Sequence, residues 1–356
     1  MGGNSTQSNK HLVFITPGFP TNETDVNCLP WLTGYILALS KEIGTQNITI
    51  LSLQYPYTEG WYVWKGIKVY SAGGKNKKGI FRFLTFRKIK IAFEKIRKQH
   101  KNIVIHSCWL TATAYLGDQF SIKYNFPHIA SIFGQDALKS NNYLSLLKNA
   151  STKIIANSTF SSNIYTASTG KKTDAVISIG INPKIYLPFE NPEKQYDLVC
   201  VGNIYELKQY HIIVRLVEQL KIKFPNLIAA IAGDGTGKDD LQLMIDEKGI
   251  RSSIHLLGAI PNPEILNFIR KGKIFVHPSK YEASSHAMLE ANYAGLHVIC
   301  GKVGHTPVPG YVHICEGYSA MHDKIVTLLS ASSQLQTPEV PMIDETVRRY
   351  RDFYQI

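Results

Sequence analysis

Residues 276–300 read VHPSKYEASSHAMLEANYAGLHVIC. An apolar run at 273–277 (KIFVH) stops at Pro278-Ser279. A short polar turn holding Glu282 follows, then a helix-like segment at 288–293, Gly295, and a second apolar run at 297–300. The order is strand, loop, helix, strand, with the loop at the carboxyl end of the first strand. Ligands bind at that edge of open α/β sheets. Glu282 and Glu290 flank the loop with seven residues between them. Acidic residues also favour the first turn of any helix, so the two glutamates alone do not separate a ligand site from a solvated helix start.

The same alternation extends outward in both directions. Upstream, 196–201, 227–232 and 254–257 read as strands, and 210–224, 239–248 and 263–271 as helices. Downstream, 319–330 and 343–354 read as helices on either side of a polar, proline-containing break. Before a proline-rich stretch at 182–195, a similar series begins at 11–16 (HLVFIT) and continues through strands at 48–53, 67–70, 103–106, 129–133, 153–157 and 175–179. Helices are predicted at 32–43 and 111–120. Strands alternating with helices predict parallel sheets covered on both faces. No repeat of 20–50 residues is present. Two doubly wound domains are the economical architecture.

The chain has 356 residues, room for two domains. It has no apolar run long enough to span a bilayer. The start, MGGNSTQSNK, is polar and unlike a secretory signal. Five cysteines, odd in number and widely spaced, form no zinc pattern and fit reduced thiols in a cytoplasmic protein. The net charge of +12 favours an anionic partner.

The turn Gly233-Asp234-Gly235-Thr236-Gly237-Lys238 resembles a phosphate loop but is one residue short, and Asp239 stands where Ser or Thr is needed. It reads instead as a strand-to-helix turn of close backbone approach. Lys208 lies on a loop after a strand end, within reach of a phosphate, although loop lysines are ordinarily solvated. His106 and Asp136 stand at strand ends, positions suited to catalysis and equally to a hydrogen-bonded structural role. Residues 74–102 carry eleven lysines and arginines against Glu94 alone, interleaved with nine bulky apolar residues. This stretch points to an anionic membrane surface, or to a core-packed helix with a solvated basic face. No nucleic-acid fold pattern accompanies the charge.

With these motifs in order, the chain resembles the retaining glycosyltransferases of the GT-B fold, glycosyltransferase family 4 (glycosyl transferases group 1). The resemblance runs over 11–354. Pro278-Ser279, Glu282, Leu289-Glu290-Ala291 and Gly295 match its most specific signature; Val201-Gly202, Lys208, Gly233-Asp234-Gly235, Leu257-Gly258 and Ile179–Asn182 fall where the family has similar segments. The resemblance implies two Rossmann-like domains facing across a cleft: an acceptor-side domain at 11–182, a linker at 183–195, a donor-binding domain at 196–338, and a C-terminal helix within 339–356 crossing back to the first.

It further implies sugar transfer, with retention, from a UDP- or GDP-linked sugar to a saccharide or lipid-linked saccharide, in cell-surface polysaccharide or glycoconjugate synthesis. No metal is required, and the place is the cytoplasm or the inner membrane face. Glu282 would contact the donor sugar, Glu290 the ribose and Lys208 the leaving phosphates. Gly202, Asn203, Gly233, Gly258, Ser284, Ser285 and His286 would complete the donor site. Gly18, Asp136 and either His106 or Cys108, at the family's catalytic-histidine position, would lie on the acceptor side. The chain departs from the family at Asn203, usually Arg; at Ala283-Ser284-Ser285, usually Gly-Phe-Gly; at Pro17–Pro20, often a Gly-Gly loop; at His106-Ser107-Cys108, usually His-x-His; and at Phe133-Gly134-Gln135-Asp136, usually His-Gly-x-Asp. A nucleotide-sugar epimerase or hydrolase, or an inactive sugar-binding homologue, are the alternatives.

Overall fold

The computed structural model describes residues 10–188, 192–331 and 338–356. The polar lead at 1–9 and part of the expected linker, 189–191, lie outside the described residues, as does 332–337 in the polar break. The chain divides into two compact units: Met1–Asn182 with Met342–Ile356, and Pro183–Pro341.

The first unit contains β1 (His11–Gly18), α1 (Pro30–Ile43), β2 (Ile48–Tyr55), β3 (Gly60–Trp64), β4 (Ile67–Ser71) and α2 (Ile80–Gln99). It continues with β5 (Ile103–Cys108), α3 (Ala112–Tyr124), β6 (His128–Ile132), β7 (Lys153–Ala156), α4 (Thr159–Thr169) and β8 (Ala175–Val176). The described strands form one sheet in the order β3-β4-β2-β1-β5-β6-β7-β8, parallel except for β3 against β4. Residues 11–16 of β1 are all buried, as a strand covered on both faces requires. Leu12 and Phe14 pack with α1, and Val13 and Ile15 with α2 and α3.

Sequence reading missed β3. It joins β4 through Lys65-Gly66, both with positive φ (46° and 81°), a two-residue turn whose twist matches a hairpin. The aromatic run WYVW ahead of Lys-Gly was the available signal. β1 continues through Pro17-Gly18, where a register shift against β2 accommodates a proline that cannot donate to the ladder. The strand expected at 175–179 shortens to Ala175–Val176.

The second unit contains β9 (Tyr196–Val201), α5 (His211–Lys223), β10 (Ala229–Ala232), α6 (Lys238–Glu247), β11 (Ile254–Gly258) and α7 (Ile265–Arg270). β12 (Gly272–His277), α8 (His286–Tyr293), β13 (His297–Cys300), β14 (Val312–Ile314) and α9 (Gly317–Ser330) complete it. Its described strands run parallel in the order β11-β10-β9-β12-β13-β14. β14 was unforeseen. It is three residues long and half-exposed, too short to show a period.

The last helix, α10 (Ile343–Tyr354), belongs to the first unit. Its Tyr350 and Tyr354 are fully buried beside α1. The Tyr354 hydroxyl lies 2.7 Å from that of Tyr35 and 2.6 Å from His106 Nδ1. His106 Nε2 meets Ser131 Oγ at 2.8 Å, and Ser131 Oγ meets the Tyr350 hydroxyl at 2.9 Å. The five side chains form a continuous polar chain inside an apolar layer, where each unmet group would be costly.

This corrects the expectation for His106. It is 1% exposed with both ring nitrogens partnered, so it is a core histidine. Cys108, on the same strand face, is equally buried, and burial pushes its thiol well above the ordinary range. All five cysteines are free.

Burial holds His106 neutral, its pKa moved from 6.5 to about 3, with His128 adding repulsion. Burial does the same to His128, and to His11 together with His100 and Lys68. The unfolded chain binds these protons near pH 6.5, the folded unit only near pH 3. Stability of the first unit is therefore expected to fall as pH drops through that window. The four tryptophans, Trp31, Trp61, Trp64 and Trp109, all lie in this unit, so their fluorescence reports its urea midpoint selectively. His106→Ala should destabilise the unit by about 1–3 kcal/mol at neutral pH; an unchanged midpoint would contradict the structural role.

Candidate functional site

In the second unit, β9 and β12 are hydrogen-bonded neighbours. From β9 the sheet proceeds through β10 and β11 to one side, and from β12 through β13 and β14 to the other. Chain order reverses between them. Connections leave the two carboxyl ends in opposite directions, opening a crevice at the switch point. The loop after β9 brings Lys208 there on a one-turn 3-10 helix, Glu206–Lys208, and the loop after β12 brings Glu282. The two loops are joined by the backbone, Lys280 N–H donating to Leu207 O at 2.8 Å.

Lys208 Nζ donates to Glu282 Oε1. His277 Nε2, at the end of β12, lies 3.0 Å from the same oxygen and is 2% exposed. Burial works against the Glu282 charge, yet the His277 hydrogen bond and the Lys208 ammonium outweigh it and hold the pKa at about 2. His277 is kept neutral chiefly by burial, and so donates through Nε2–H. Sequence reading did not single out His277. A polar residue closing an apolar strand, five residues before Glu282, was the signal.

Two close approaches fix the loops. A Cβ on Gly233 would sit 1.9 Å from Gly202 O, so only glycine lets the ends of β9 and β10 meet. Gly233 N–H donates to Gly258 O at 2.7 Å, placing Gly258 on the same rim. A Cβ on Gly304 would lie 1.9 Å from Ala283 O, and Gly304 N–H donates to Glu282 O at 2.9 Å. The loop after β13 thus seats on Glu282 itself, which sequence reading had not foreseen.

Ser285 caps α8, its side chain accepting from Met288 N–H at 3.4 Å, and Ser284 stands half-buried before it. Asn203 is exposed on the loop after β9. Glu290 belongs to a separate cluster. It is buried on α8, and its Oε1 accepts from the Tyr186 hydroxyl at 2.7 Å, which in turn lies 3.4 Å from His286 Nε2. Burial raises the Glu290 carboxyl to about 7, with Tyr186 and Asn262 opposing by hydrogen bonds. Burial lowers His286 to about 4. Tyr186 lies in the stretch expected as linker; a buried hydroxyl on Glu290 makes it part of the second unit's core instead.

In the first unit, Gly18 ends β1 at the carboxyl edge. Asp136 is buried, its carboxylate accepting from Leu110 N–H and Gly134 N–H, each at 2.7 Å. Burial raises its pKa to about 6 against these bonds. It acts as a strut between the ends of β5 and β6. The strut holds Trp109 in a left-handed conformation (φ 68°), rare for a bulky side chain. Trp109, Trp31 and Phe133 make a half-buried aromatic group at this edge, ring centroids 4.6–5.6 Å apart. Among the described residues, no three His, Cys, Asp or Glu side chains converge as a metal site would require.

Residues 186–310 match the family model for glycosyl transferases group 1. Over 110 residues, 31% of this chain, the sequence is 28% identical to the gpi3 subunit of phosphatidylinositol N-acetylglucosaminyltransferase from Schizosaccharomyces pombe, covering 24% of that protein. It is 25% identical over 179 residues to a subunit of human phosphatidylinositol N-acetylglucosaminyltransferase, covering 44% of this chain and 37% of that one. An uncharacterized glycosyltransferase of Methanocaldococcus jannaschii is 30% identical over 115 residues, 30% of this chain and 28% of that protein. The chain thus spans 24–37% of the length of these relatives.

Among solved structures, sucrose-phosphate synthase from Thermosynechococcus elongatus superposes with a TM-score of 0.70 at 15% identity, covering 97% of this chain and 94% of that one. Anabaena Alr3699/HepE in complex with UDP and glucose gives 0.66 at 15%, covering 95% and 94%. The catalytic domain of Arabidopsis thaliana starch synthase IV, bound to ADP and acarbose, gives 0.67 at 12%, covering 97% and 98%. The fold is that of the GT-B glycosyltransferases.

Replacing Lys208 by Met removes the charge that helps hold Glu282 ionised. The Glu282 carboxyl should then titrate above its present value of about 2, read by carbon NMR of labelled glutamate. Because that pKa lies below the ordinary 4.5, the pair stabilises the fold above pH 4.5 and its contribution is lost as pH falls toward 2. An unmoved titration in the variant would show that the pair carries no charge coupling.

Proposed function

We propose that this chain is a retaining glycosyltransferase, moving a hexose or N-acetylhexosamine from a nucleotide-diphosphate sugar to a saccharide or lipid-linked saccharide. The observation that carries the reading is the pairing of Lys208 with Glu282 over the switch point of the second sheet. A lysine there offers a point charge to a diphosphate, and an ionised carboxylate accepts hydrogen bonds from sugar hydroxyls. The family match over 186–310 supports the same assignment, because it spans both loop ends.

In the resting pair each partner occupies the group its ligand would take. A bound diphosphate draws Lys208 toward itself. Glu282 keeps His277 as donor and turns its free lone pairs to the donor sugar. Backbone N–H groups at 284–287, where α8 begins, suit the diphosphate. Glu290 is read as the ribose contact, with Tyr186 orienting its carboxylate. The C1–O bond to the leaving phosphate breaks through an oxocarbenium-like state. The acceptor oxygen bonds to C1 on the same face, and its proton passes to a phosphate oxygen. Lys208 stabilises the charge that develops on the leaving group. On the acceptor side we assign positioning to Asp136, through the Trp109 turn, and give His106 and Cys108 no chemical role.

Glu282→Gln should lower kcat by about 100-fold or more with folding intact; near-normal turnover would remove the assignment. Lys208→Ala in a Glu282→Gln background, which leaves no unpaired carboxylate behind, should weaken nucleotide diphosphate binding at least about tenfold. A thermal-shift panel of UDP, GDP and their common sugars selects the base, since a ligand of the native state raises the midpoint. Turnover of donor without any acceptor, giving an epimer or free sugar as the main product, would replace transfer by the epimerase or hydrolase reading.

A further inference from the structure

α2 turns two apolar faces outward from one axis. Thr85, Ile89, Ala92, Phe93 and Ile96 are buried against the sheet and α3. At about 100° per residue, Ile80, Leu84, Arg87 and Ile91 fall within about 60° of one another on the opposite side. There Ile80 is 66% exposed, Leu84 40% and Ile91 50%, with Phe81 at 52% and Phe83 at 63% beside them. A core-packed helix has no use for that second face. A cluster of exposed bulky residues marks an interaction site.

The charges divide along the helix. Toward its end, Glu94 pairs with Arg97 and Lys123, and Arg97 lies over the Tyr124 ring, so part of the charge there is met within the protein, although Lys95 and Lys98 stay exposed. Residues 75–91 contain seven lysines and arginines and no acid. Of these Lys88 pairs with Glu59, whereas Lys75, Lys77, Lys78, Arg82, Arg87 and Lys90 make no ion pair among the described residues. Lys77 sits 4.7 Å over the Phe81 ring, cation and apolar face together.

This half also has a definite place in the fold. Gly74 N–H donates to Leu53 O and Lys75 N–H to Gln54 O, so α2 starts at the carboxyl end of β2. That is the edge where Gly18, Trp109 and Phe133 lie.

We propose that residues 75–91 dock the first unit on an anionic lipid bilayer, with Ile80, Phe81, Phe83, Leu84 and Ile91 entering the headgroup boundary and the cations meeting lipid phosphates. Resting on the glycosyltransferase reading, this selects a lipid-linked acceptor: a surface that seats the acceptor-side edge beside a bilayer serves a substrate held there. The attachment is by one face of α2, whose exposed apolar residues lie together with cations that make no ion pair among the described residues.

The test is sedimentation of the whole chain with phosphatidylcholine vesicles, with and without roughly 30 mol% phosphatidylglycerol. Binding is expected to the anionic vesicles only, and to weaken as NaCl rises from about 0.1 to 0.5 M. Phe83→Glu with Leu84→Glu, and separately Lys77→Glu with Lys78→Glu, should each reduce partitioning at least about tenfold. UDP or GDP binding should be unchanged in both. No vesicle binding, or binding indifferent to either pair, overturns the docking surface. So does equal binding to a DNA oligonucleotide that ignores the Phe83 and Leu84 changes, which would make it a polyanion surface. Labelled sugar entering an organic-extractable product from vesicles of source-cell lipid supports the lipid-linked acceptor; label confined to water-soluble glycan overturns it. Loss of nucleotide binding with vesicle binding intact would strike the transferase reading alone.

Discussion

A carboxylate that is mostly withdrawn from water must be compensated locally or lose its charge. Glu282 is compensated from two sides, by Lys208 after β9 and by His277 at the end of β12. Those strands are far apart in sequence and adjacent in the sheet. Holding one oxygen between them dictates the loop positions, the backbone stitch from Lys280 to Leu207 and the glycines that let neighbouring strand ends meet. Each charge is compensated by the other, so neither side chain stands desolvated and unpaired.

The elements that sequence revealed best were those with an unbroken apolar run or a clear period. β9, β13 and α10 fall at their expected limits, the strands through continuous apolar runs and the helix through a 3.6-residue period that buries one face. β3 and β14 escaped because they are half-exposed and short. The site divided the same way. Lys208 and Glu282 could be noticed on loops after strand ends and were tied together only through the family resemblance; their meeting follows from sheet order. His277 was passed over despite its place five residues before Glu282, since a histidine closing a strand looks alike whether it packs or donates.

Burial decided the residues that had been expected on an acceptor side. His106, Cys108 and Asp136 stand at strand ends, where chemistry is often found, yet each side chain points into the protein. Strand position tells where a backbone ends and leaves open which face a side chain takes. In β5, alternate residues at 106 and 108 face the layer covered by α10, and that helix arrives from more than two hundred residues away. No local pattern encodes such a partner. The same limit applied to Tyr186, read as linker because prolines surround it, and to the exposed face of α2, which composition alone could not separate from a solvated one.

The return of α10 to the first unit bears on how the chain is made. Residues 183–341 are synthesised between the first unit's sheet and its last helix. At about 5–20 residues per second, that interval lasts roughly 10–30 s on a ribosome. Throughout it Tyr35, His106 and Ser131 lack the tyrosine hydroxyls that complete their hydrogen bonding. The second unit has every described strand of its sheet before then. Although it comes later in the sequence, it is the unit that can finish folding first, while the earlier one waits with an open seam for its closing helix.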